Sequence, residues 1–152
     1  MKAIYKHTNI IANNWRKLAD FYATVFKLEP VPPQRKLSGD WLEKGTGVPS
    51  ASFSGVHLRL PGHGKDGPTL EIYQYAQNLS RPETAANREG ISHLAFEVGD
   101  VAQAKQEVLD HGGSMVGEIT TSIVEGAGEL VFVYVADPEG NIIELQAWPG
   151  KK

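Results

Sequence analysis

Two His…Glu pairs, His7 with Glu71 and His93 with Glu144, are the residues of this 152-residue chain best suited to chemistry. Each stands in a short apolar run that reads as a strand: Tyr5-Lys6-His7-Thr8-Asn9-Ile10, Thr69-Leu70-Glu71-Ile72-Tyr73, Ile91-Ser92-His93-Leu94-Ala95-Phe96 and Ile142-Ile143-Glu144-Leu145. A carboxylate set between Leu and Ile in a strand is costly to bury unless something pairs with it. Two imidazoles and two carboxylates brought to one point would make a good site for a divalent metal. Zn, Ni, Co, Mn and Fe are all compatible with that donor set.

The elements that must position these four residues repeat. Residues 3–12 alternate as a strand does. Asn13-Asn14 offers a helix cap, and Trp15, Leu18, Phe21, Tyr22, Val25 and Phe26 recur at helical spacing. Leu28 to Pro32 reads as a short strand ended by Pro32-Pro33. Residues 34–50 are polar and hold at most a short helix around Trp41-Leu42. Ser52 to Leu60 and Thr69 to Tyr75 are strands joined by the Gly- and Pro-rich turn of residues 61–68.

After a polar linker at 81–90 the order returns. Ile91 to Val98 is a strand. Asp100 caps a helix reaching about Asp110, and Gly112-Gly113 stops it. Met115 to Ile119, Leu130 to Ala136 and Asn141 to Ala147 are strands, the last two joined by the turn Asp137-Pro138-Glu139-Gly140-Asn141. Each half reads strand–helix–strand–strand–strand. Each carries its His in the first strand and its Glu in the last. The His residues lie 86 positions apart and the Glu residues 73, so the first half holds the longer insertion, with residues 34–50 the candidate. The expected fold is α+β: one domain over residues 1–152, built of βαβββ modules at about 1–76 and 90–148.

Other candidates are weaker. His57 shares a strand with Arg59 and could line a substrate site, where Arg59 would hold a carboxylate or phosphate. Trp41 and Phe53 could close over a ligand or belong to the core. Arg35, Arg81 and Arg88 could also hold a carboxylate or phosphate, though such arginines are more often solvated, and Arg59 is the best placed of the four. His63 lies in a Gly-rich turn, and His111 ends a helix, where a cation favours the dipole. Residues 62–67 lack the strand–loop–helix setting of a phosphate-binding loop.

Composition excludes several classes. The hydrophobic fraction is 41% and the charged fraction 22%, ordinary for a globular protein. A net charge of −3, with 15 basic and 18 acidic residues interspersed, provides no footprint for nucleic acid or an anionic membrane. No apolar run approaches the ~18 residues a membrane span needs. With no cysteine there is no disulfide, thiolate catalysis or Cys–zinc site. The N-terminal residues lack the apolar centre of a signal peptide, and the expected location is cytoplasmic.

The stretches His7-Thr8-Asn9-Ile10, Leu18-Ala19-Asp20-Phe21-Tyr22, Gly90 to Val98 and Asp137 to Leu145 together resemble the vicinal oxygen chelate superfamily. Glyoxalases, methylmalonyl-CoA epimerases, fosfomycin- and bleomycin-resistance proteins and extradiol dioxygenases make up that group. The resemblance implies paired βαβββ modules forming a curved, cup-like mixed sheet around a metal held by His7, Glu71, His93 and Glu144. An acidic residue at Glu71 is closer to the glyoxalase and epimerase branches than to the dioxygenases, which use two His and one Glu. It further implies Glu144 as catalytic base with Glu71 as its partner on the opposite face of a small-molecule substrate. The assembly it implies is a homodimer. The implied reaction is a lyase or isomerase/epimerase step that begins with proton abstraction next to a carbonyl. A non-catalytic ligand-binding protein and an extradiol-type dioxygenase are the alternatives. Residues 34–50 show no clear glutathione-binding pattern, so the substrate stays open.

Overall fold

A computed structural model describes residues 1–150; the last two positions of the expected 1–152 domain lie outside the described residues. The chain divides into two compact units with the boundary between Arg81 and Pro82.

The first unit runs β1 (His7–Ile11), α1 (Trp15–Val25), β2 (Glu29–Ser38), α2 (Asp40–Thr46), β3 (Ser52–Arg59) and β4 (Thr69–Tyr75). Its four strands pair in the order β1-β4-β3-β2, with β1 parallel to β4 and the other neighbours antiparallel. Asn14 starts α1, its side chain accepting from the Lys17 amide at 3.1 Å. Trp15, Leu18, Ala19, Phe21, Tyr22 and Val25 form the buried stripe, and α1 lies on β3 and β4. Val56, Leu58, Leu70 and Ile72 are its buried counterparts in those strands. Because strand side chains alternate, His57, Glu71 and Tyr73 fall on the opposite face.

The second unit runs β5 (His93–Glu97), α3 (Val101–Asp110), β6 (Ser114–Met115), β7 (Thr120–Val124), β8 (Gly128–Ala136) and β9 (Ile142–Ala147). The order is β5-β9-β8-β6, with β7 also on β8. Again the first strand runs parallel to the last. Asp100 caps α3 by accepting from the Gln103 amide at 2.9 Å. Buried Asp137 builds the turn before β9. Its Oδ1 accepts from the Glu139 and Asn141 amides, each at 2.9 Å, and its Oδ2 from Asn141 Nδ2 at 2.6 Å. The architecture is therefore α+β with two mixed sheets, of four and five strands, in the same strand order.

The structure corrects several boundaries. The first strand is His7–Ile11, and Ile4 and Tyr5 before it are exposed. The second strand does not end at Pro32-Pro33. It continues to Ser38, with a register shift between Val31 and Arg35 and a cis Pro32–Pro33 bond. β2 is an edge strand, where the missing proline N–H groups leave no ladder bond unmade. Met115 to Ile119 is not one strand. Only Ser114–Met115 pairs there; the amides of Val116 and Gly117 both turn onto the Tyr134 carbonyl, at 3.1 and 2.9 Å. β7 was not expected at all. The short helix at Trp41-Leu42 is present as α2. Among the described residues no helix is long and apolar enough to cross a membrane.

Candidate functional site

Ladder register places the same pair in both units. In the first, Asn9 stands beside Glu71, so His7 lies two residues before the glutamate's neighbour. In the second, Ala95 stands beside Glu144 and His93 lies two residues before it. Each His and Glu therefore share a face and meet diagonally. His7 Nδ1 lies 3.3 Å from Glu71 Oε1, and His93 Nε2 lies 3.0 Å from Glu144 Oε2.

The cross-strand neighbour then differs. His57 stands opposite Glu71, with Nδ1 3.3 Å from the same Oε1 that faces His7. Its Nε2 is 2.6 Å from the Tyr73 hydroxyl. Tyr134 stands opposite Glu144, its ring centroid 4.9 Å from that of His93. Glu71 is the more deeply buried carboxylate, with its side chain 9% exposed against 16% for Glu144. Burial of that charge is offset by its imidazole partners, and among the described residues no buried side-chain polar atom lacks a hydrogen-bond partner.

Titration follows these contacts. Burial pushes the His57 imidazole below its ordinary range; Glu71 opposes this, and Arg35 and His7 reinforce it. Burial likewise raises the Tyr73 phenol, with further contributions from a hydrogen bond to Glu71 and from its charge. Tyr134 is raised by burial and then by Glu144.

The remaining candidates are placed as follows. Arg59 is on the His57 face, but its guanidinium donates to the Gly67 carbonyl in the following loop. Trp41 points outward, 61% exposed, while Leu42 beside it packs with Ala51 and Phe53. Phe53 is thus core, stacked on Tyr73 with centroids 4.3 Å apart. Tyr73 and Tyr134 join the site without having been singled out for it, and the charge of Arg35 is felt at His57 and Tyr73. Tyr73 was readable in principle, being two residues after Glu71 in one strand.

Among the described residues no group of three or more His, Cys, Asp or Glu side chains is gathered as a metal centre requires. The paired donors nonetheless suit one. Nitrogen and carboxylate donors ~2.1 Å from a common ion stand roughly 3.0–3.4 Å apart, the separation seen within each pair.

Sequence comparison decides the family. The family model of the glyoxalase/bleomycin resistance protein/dioxygenase superfamily matches residues 4–145. The chain belongs to that superfamily. No curated protein matches it. Among solved structures, a glyoxalase family protein from Bacillus cereus is 18% identical, with a TM-score of 0.80 over 97% of this chain and 95% of that one. A glyoxalase/bleomycin resistance protein/dioxygenase domain from Frankia sp. EAN1pec is 15% identical, with a TM-score of 0.59 over 100% and 96%. A virulence protein of Salmonella typhimurium is 18% identical, with a TM-score of 0.56 over 97% and 98%. At these identities the likeness is one of fold.

Proposed function

We propose that this superfamily member is a metal-dependent lyase or isomerase/epimerase that removes a proton next to a substrate carbonyl. One observation carries the reading: two units repeat a His–Glu pair on the same diagonal of a parallel first–last strand ladder. Within each unit the pair, His7 with Glu71 and His93 with Glu144, would supply donors to a divalent ion. A bound ion supplies Lewis acidity, stabilising negative charge that develops on substrate oxygens. Glu144 takes the proton, because it is the less buried carboxylate and faces a single imidazole. Glu71 stays in place. Arg59, on the His57 face, and Arg35, whose charge is felt at His57 and Tyr73, would attract an anionic substrate; their guanidinium groups donate to the Gly67 and Pro33 carbonyls. The reading takes the protein as cytoplasmic, homodimeric and active on a small molecule.

Elemental analysis of the purified protein is the first test, with bound divalent metal expected. The second follows exchange of an acidic C–H proton in deuterated water, using thioesters and hemithioacetals as candidate substrates. A protein that takes up no metal from excess divalent ions, yet binds small ligands, would be a sequestering member of the superfamily instead. Oxygen uptake with catechols would make it a dioxygenase.

A further inference from the structure

The two carboxylates are held differently. Glu71 Oε1 faces two imidazole nitrogens, His7 Nδ1 and His57 Nδ1, each at 3.3 Å. A carboxylate only accepts, so a proton on His57 Nδ1 would bind Glu71. The other ring nitrogen, Nε2, lies 2.6 Å from the Tyr73 hydroxyl. Tyr73 is itself braced: its ring stacks on Phe53, which packs with Leu42 of α2. Gly55 makes room for that ring, since a Cβ there would run into Tyr73 Cδ1 and the Ile72 carbonyl. A continuous line of contacts runs from the packed end of the sheet, through Tyr73 and His57, to Glu71. In the second unit the position of His57 is occupied by Tyr134, and one imidazole, His93, faces Glu144.

We propose that His57, braced by Tyr73, is a positioning residue that fixes the Glu71 carboxylate as a permanent metal ligand and so leaves Glu144 as the carboxylate free to move. This rests on the metal-binding reading above. Partners that orient a ligating carboxylate contribute about 10–100-fold to metal affinity.

Zinc ions alone are titrated against a chromogenic chelator in competition with the whole chain, so the readout is affinity and not turnover. His57→Phe keeps a ring and removes the donor; zinc affinity should fall about 10–100-fold. His57→Asn places an amide N–H near the Nδ1 position and should stay within about threefold of the parent, a rescue that simple ring packing would not produce. Tyr73→Phe removes only the hydroxyl and should weaken zinc binding several-fold, which keeps the proposal exposed even where His57→Phe does not fold. His57→Phe or Tyr73→Phe binding zinc as tightly as the parent overturns the proposal while leaving the metal reading intact. Equal losses in His57→Asn and folded His57→Phe also overturn it. A parent chain that binds no zinc overturns the metal reading, and this proposal with it.

Discussion

The first unit surrounds its glutamate with side chains, and the second leaves its glutamate more open. Both share one strand order and one His–Glu diagonal. They part at the strand beside the glutamate. Glu71 is flanked by His57 and Glu144 by Tyr134. The aromatic also changes strand at the next position of that ladder. Tyr73 on β4 faces Gly55 on β3, whereas Phe132 on β8 faces Gln146 on β9. Topology alone thus reproduces the pair, because strand order and pleat set which residues meet. The flanking strand decides how tightly each carboxylate is held. Duplicated architecture with unequal surroundings is what a reaction needing one fixed and one mobile carboxylate requires.

The largest effect should separate the two glutamates. Glu144→Gln should retain metal and lose about 10²–10⁴-fold in turnover, with proton exchange into deuterated water abolished. Glu71→Gln should instead lose metal, so that its remaining activity rises with added ion. Metal content and exchange measured on both variants check this. If Glu144→Gln keeps full exchange, suspicion passes to Glu71 and the comparison reverses.

A smaller effect tests the aromatic exchange between strands. Gly55→Ala would drive a methyl group into the Tyr73 ring and the Ile72 carbonyl. Overpacking of this kind costs about 1–3 kcal/mol, readable as a lower urea midpoint with an unchanged slope. Because Tyr73 braces His57, zinc affinity should fall in the same variant. A loss of stability with zinc binding intact would separate Tyr73 from the glutamate it is argued to support.

Much of this arrangement was legible in the residues. His7, Glu71, His93 and Glu144 lie in short apolar runs bounded by clear turns, so their strands could be placed, while the apolar neighbours of Glu71 left its face open. The contact of His57 with Glu71 was not, since it depends on a cross-strand register set by the loop at residues 61–68, whose length allows several pairings. β7 escaped because all five of its residues are exposed, leaving no alternation to detect. β2 was cut short by prolines that only an edge position tolerates. In α2, Trp41 and Leu42 are adjacent, and only the packed structure shows that Leu42 turns inward and Trp41 outward.

The smallest expected effect concerns what the units have in common. α1 and α3 begin alike: Asn14 accepts from the Lys17 amide at 3.1 Å and Asp100 from the Gln103 amide at 2.9 Å. Both satisfy an amide three residues on, a donor that the helix itself cannot pair. Replacing either cap by Ala removes that acceptor and costs about 1 kcal/mol. Asp100 carries a charge at the positive end of its helix, so Asp100→Ala should lose a few tenths of a kcal/mol more than Asn14→Ala at low salt. Added salt should narrow the gap, because the charge–dipole part is screened while the hydrogen bond remains. Thermal denaturation of the two variants at low and high ionic strength reads the difference directly. A gap that salt leaves unchanged would show that the caps differ in packing and not in charge, and that the units diverge at their helix starts as well as beside their glutamates.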